Sequence, residues 1–133
     1  MRIGWEGWSV DIDHAWTITD HPECLTLELS SEGALQLSSA QKTSGDITDA
    51  DLQEFVAEQE DNWGSAVPEQ CGEFSGVRVS YSEDGILWSR WFLRKGATLL
   101  FATYNGTPTA AAREIELVVQ VLSSARAEAS GEA

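Results

Sequence analysis

Positive charge is what this sequence has least of. Its 133 residues carry 22 acidic side chains against 8 basic ones, and only Lys42 and Lys95 are lysines, for a formal net charge of −14. Such a field repels phosphate backbones and anionic lipid headgroups, so nucleic acid and membrane surfaces are disfavoured as partners. The association that the charge favours is with a protein of basic surface. Cysteine is nearly absent too: Cys24 and Cys71 show no Cys-x2-Cys spacing and are too few for a disulfide scaffold, so both are expected to be reduced thiols. No apolar run is long enough for a transmembrane helix. Met1 to Val10 holds one basic residue and no signal-peptide core, and the expected location is the cytoplasm. There is also no Gly-x-Ser-x-Gly elbow, no Gly-rich phosphate loop and no His-Glu-x-x-His, so neither a catalytic constellation nor a cofactor is indicated.

What the chain does have is aromatic bulk, six tryptophans in a length that makes one domain. Trp8, Val10 and Ile12 alternate with polar residues, the period of a strand with one buried face. Leu25 to Leu29 and Ala34 to Ser38 alternate likewise around a turn at Ser31-Glu32-Gly33, which reads as a hairpin. Thr48 is placed to cap a helix, with Ile47 and Leu52 as its hydrophobic staple and an end near Asn62. After a loop containing Pro68 and Gly72 come three strands, Gly76 to Ser82, Ile86 to Arg94 and Thr98 to Asn105. Asp84-Gly85 and Lys95-Gly96 join them into an antiparallel meander. Thr107-Pro108 opens a second helix with Ile115, Val118, Val119 and Leu122 on one face, ending near Ala125. Residues 1–126 are thus expected to form a single domain, and Ala127 to Ala133, without apolar anchors, a disordered tail.

Asp13 to Cys24 contains both histidines and one cysteine, and pairs Asp with His twice. His14, His21 and Cys24 could in principle ligate zinc, but His-x2-Cys is a weak spacing, and Asp-His and His-Pro read more simply as turn chemistry. No metal is expected there. On the meander, two-residue turns set Val79 opposite Arg90 and Arg90 opposite Phe101. One face then carries Val77, Val79, Tyr81, Trp88, Arg90, Phe92, Leu99 and Phe101, and the other Arg78, Ser80, Leu87, Ser89, Trp91, Leu93, Leu100 and Ala102. Both faces are apolar, so both need cover. The fold class is α+β, an antiparallel β-sheet flanked by helices as an α/β/α sandwich. Ser80, Ser89 and Ala102 would form a row of small side chains beside Trp91, suited to a closely packed helix or to a cavity. Arg90, set among apolar neighbours, needs a carboxylate partner or an anionic ligand. Arg78, Ser80, Ser89, Arg90 and Trp91 are therefore the candidate binding residues.

Several of these stretches together resemble the PsbP/DcrB-like family, which includes the Ran-binding Mog proteins. They are Gly7-Trp-Ser-Val-Asp-Ile-Asp-His-Ala-Trp16, Gly33-Ala-Leu-Gln-Leu37, Gly76 to Trp88, Thr98 to Tyr104, and the helix end Val121-Leu-Ser-Ser124. Asp13 stands where that family's turn usually has proline, and no lipoprotein or transit segment is seen. The resemblance implies a PsbP-like fold and a role as adaptor, chaperone or accessory subunit. It carries over no functional residue. The functional expectation is a small, acidic, bacterial, non-enzymatic protein-binding module, whether adaptor, chaperone or immunity-like protein. The alternative is a small-molecule binder or hydrolytic enzyme using a Trp-lined pocket on the sheet.

Overall fold

The computed structural model describes residues 1–5, 7–59 and 66–128. In chain order the elements are β1 (Arg2–Trp5), β2 (Trp8–Asp11), β3 (Thr17–Asp20), β4 (Leu25–Ser30), β5 (Gly33–Gln41), α1 (Asp49–Gln59), β6 (Val67–Cys71), β7 (Phe74–Glu83), β8 (Ile86–Lys95), β9 (Thr98–Gly106), α2 (Pro108–Ser123) and β10 (Arg126–Ala127). A seven-stranded antiparallel sheet runs β3-β4-β5-β9-β8-β7-β6, and β1-β2-β10 form a second, three-stranded one.

Strand side chains alternate between faces, and the large sheet uses both. Leu35, Leu37, Trp91, Leu93, Leu100, Ala102 and Tyr104 point to one side, where α2 brings Val118, Val121 and Leu122 and the small sheet brings Trp8 and Val10. Val79, Phe92 and Leu99 point to the other side, against Ile47, Leu52 and Val56 at and within α1. The molecule is α+β with a helix on each face of the sheet, as the apolar patterning requires.

Local chemistry places the elements. The Thr48 hydroxyl accepts from the Asp51 amide at 3.1 Å and the Asp51 carboxylate accepts from the Thr48 amide at 2.9 Å, a reciprocal cap that starts α1. The expected end of this helix at Asn62 lies outside the described residues. Thr107 caps α2 by accepting from the Ala110 amide, with Pro108 as the first helical residue. Asp84 and Gly85 both have positive φ, 53° and 79°, as a primed two-residue turn demands.

Four expectations need correction. The β8–β9 turn is Gly96-Ala97, with Lys95 paired to Thr98, because positive φ falls on Gly96 as the first turn residue. Arg90 therefore lies opposite Thr103, and Phe92 opposite Phe101. A slip of two residues leaves the faces unchanged but breaks the row of small side chains: Ser89 lies opposite Tyr104, and Ala102 opposite Trp91. The stretch with Pro68 is not a loop but strand β6, at the sheet edge, where a residue without N–H is tolerated. β1 and β3 are further strands that the alternation did not reveal. Finally, the chain does not leave the fold at Ala127: it pairs with Trp8 in β10 and its amide donates to Glu73, while Glu128 donates to the Gly7 carbonyl and accepts from Ser9. Residues 129–133 of the expected tail lie outside the described residues.

Candidate functional site

The β7–β8 register sets Arg78 opposite Trp91 and Ser80 opposite Ser89, all on the side of the sheet that α2 covers. The Arg78 guanidinium lies over the Trp91 ring, 4.8 Å from its centroid, and Nη2 donates to Ser89 Oγ at 3.2 Å. The Ser80 and Ser89 hydroxyls are themselves 3.2 Å apart. Glu69, on the edge strand β6, accepts from Trp91 Nε1 at 2.7 Å, and its other oxygen stands 3.8 Å from Arg78 Nη1. That distance is an ion pair without a hydrogen bond. Among the described residues the guanidinium thus makes a single hydrogen bond, and its buried Nε has no acceptor, although the side chain is only 25% exposed.

Helix α2 closes over this cluster incompletely. Its alanines keep the first turns close to the sheet, and a cleft of about 500 Å3 remains between Arg78, Ser80, Leu87 and Ser89 on the strands and Pro108, Ala112 and Ile115 on the helix. A hollow of about 280 Å3, beside Val67 and Glu69, is also lined by Arg78 and Ser80, so these two residues border both spaces. Cys71 is buried nearby with Sγ 3.9 Å from the Glu69 carboxylate; burial, and then that negative charge, push its thiol up to about 12. It is a neutral thiol, not a nucleophile.

A second polar cluster supports the cleft from within. Glu114, on the buried stripe of α2, accepts from Tyr104 at 2.8 Å and from Ser30 at 2.6 Å. Gly33 and Gly106, paired across β5 and β9, leave the notch that the Tyr104 hydroxyl occupies. Burial, and then the Glu114 carboxylate, raise the Tyr104 hydroxyl well above its ordinary value.

Of the five residues singled out from the sequence, Arg78, Ser80, Ser89 and Trp91 come together. Arg90 does not: it projects from the opposite face, half-buried, with its guanidinium 5.8 Å from the Phe92 ring. Glu69 and Glu114 escaped the sequence reading. Glu114 had a signal, a carboxylate at a stripe position of an apolar helix; Glu69 had none, because strand β6 does not alternate. Stretch 13–24 is two turns around β3: the Asp13 carboxylate accepts from the Ala15 amide, and the His21 amide donates to the Cys24 carbonyl. Both histidines are exposed, and among the described residues no three His, Cys, Asp or Glu side chains gather as a metal would need.

The cluster can hold an anion or a polar group against an apolar wall. Among the described residues its serines bond to each other and to a guanidinium, and not to a base that would activate a hydroxyl. Among the described residues no helix is long and apolar enough to cross a membrane.

No family model and no curated protein matches the chain. Solved structures do. A protein of Bacteroides thetaiotaomicron VPI-5482 superposes with a TM-score of 0.66 at 14% identity, over 94% of this chain and 46% of that one. This chain therefore spans less than half the length of that protein. The solution structure of cyanobacterial PsbP (CyanoP) from Synechocystis sp. PCC 6803 aligns with a TM-score of 0.46 at 12% identity, over 96% of this chain and 92% of that one. At such identities the likeness is one of fold alone.

Proposed function

We propose that this chain is a non-enzymatic binding module and that its ligand sits in the cleft between β7–β8 and the first turns of α2. One observation carries the reading: a half-buried arginine, in a protein with very few cations, lines a largely apolar cleft and among the described residues makes a single hydrogen bond. Such placement of a few polar groups in an apolar concavity is how small-molecule sites fix orientation. The test is a fragment screen followed by amide chemical shifts of the whole chain. Hits should move Ser80, Ser89, Ala112 and Ile115, and Ala112→Trp, which fills the cleft from an exposed helix position, should abolish those shifts while the remaining spectrum is kept. Hits that map elsewhere, or survive Ala112→Trp, overturn it.

A second reading, docking onto a basic protein, is favoured by the crowding of Asp46, Asp49, Asp51 and Glu54 around the start of α1, where Lys42 and Arg94 are the cations that bond to it. The adaptor-like character of the PsbP/DcrB-like proteins points the same way. Pull-down at low and moderate salt checks it: loss of every partner at both would remove it.

A further inference from the structure

We infer that the cleft takes a monocarboxylate with an apolar body, a deepening that rests on reading the cleft as the binding site. The walls decide the body. Leu87, Pro108, Ala111, Ala112 and Ile115 contribute hydrocarbon on both sides, and about 500 Å3 is within the range of small-ligand pockets. Arg78 decides the head group. Its guanidinium stacks on Trp91, which fixes its plane and leaves its edge as the donor surface. Glu69 does not saturate that edge, because one of its oxygens is held by Trp91 Nε1 at 2.7 Å and the other stops 3.8 Å from Nη1. An incoming carboxylate can make the short, charge-assisted bonds that Glu69 does not, and the exposed Ser80 hydroxyl stands beside them as a further donor.

The same geometry limits the charge to one. Among the described residues Arg78 is the one cation in the cleft lining, with a carboxylate already at 3.8 Å and in a chain of net charge −14, which matches a monoanion better than a phosphate dianion. An ammonium group would meet Arg78 and be repelled. A neutral alcohol would fill the walls but leave the guanidinium edge unmatched.

The experiment is titration of the full chain with octanoate, octanol, octylamine and octyl phosphate, read by the amide shifts of Ser80 and Ala112. Octanoate should bind about tenfold or more tighter than octanol, the equivalent of one charge-assisted hydrogen bond. Octylamine and octyl phosphate should be weaker than octanoate. Arg78→Gln should bring octanoate down to the level of octanol. Should that variant unfold, Ser80→Asp, at an exposed position, sets a fixed negative charge beside the guanidinium and should weaken octanoate selectively. If octanol or octyl phosphate binds at the cleft as tightly as octanoate, the carboxylate assignment fails while the cleft stands as a site. If octanoate moves only amides elsewhere, and the fragment screen also leaves the cleft silent, the site itself fails.

Discussion

Trp91 is 1% exposed, so its ring is core, and its one polar atom is satisfied by Glu69. Trp91→Phe would strand no buried donor but would free Glu69 to swing onto Arg78. We expect a loss of about 1–3 kcal/mol in urea melts from the missing bond and packing, together with weaker carboxylate binding as Glu69 takes the guanidinium edge. Cys71 gives a second test. Its thiol, ordinarily 9.0, rises to about 12 in the fold, so the unfolded chain gives up its proton first. The contribution is whole below pH 9.0, and stability falls as the pH climbs from there toward about 12; Tyr104, also raised, acts in the same direction. At neutral pH a maleimide should label half-exposed Cys24 in the native protein and Cys71 only after denaturation, as counted by mass spectrometry. The arginine and serines of the site were legible because period 2 assigned them to a face. Their donors and acceptors were not, since Glu69 comes from a strand whose sequence does not announce it.

Elements whose stabilising chemistry is local could be read directly. Asp84-Gly85 specified its turn, and Thr48 with Asp51 specified the start of α1. Thr48→Ala removes the acceptor for the Asp51 amide and should cost about 1 kcal/mol in denaturant melts. The Asp51 carboxyl is held below its ordinary 3.8, first by the Thr48 amide and then by Lys42, so its contribution is present above that pH and is lost as the pH falls through the lowered value. Helical content should drop there before the global transition. β6 and β10 were illegible for the opposite reason. Val67 to Cys71 has no alternation, and Arg126–Ala127 is a strand only because β2 offers it an edge. Register at Gly96 was missed by two residues because face assignment is blind to even slips.

Over the whole molecule, a net charge of −14 acts against compaction. The melting temperature should rise by a few degrees as sodium chloride goes from about 0.01 M to about 0.15 M, where the screening length falls from ~30 to ~8 Å. A flat response would mean that the carboxylates are already compensated by close cations. The order β3-β4-β5-β9-β8-β7-β6 carries a further consequence, in time. It consists of two runs, β3 to β5 and β6 to β9, each zipped by short connections and joined by the single seam of β5 against β9. As the chain leaves the ribosome, the first run can assemble early, but β5 then presents a bare edge until β9 emerges, after α1 and three more strands. The seam is the costly loop closure, and folding should wait on it. Gly33 and Gly106 face each other at one end of that seam, so its closure is also what completes the notch for Tyr104.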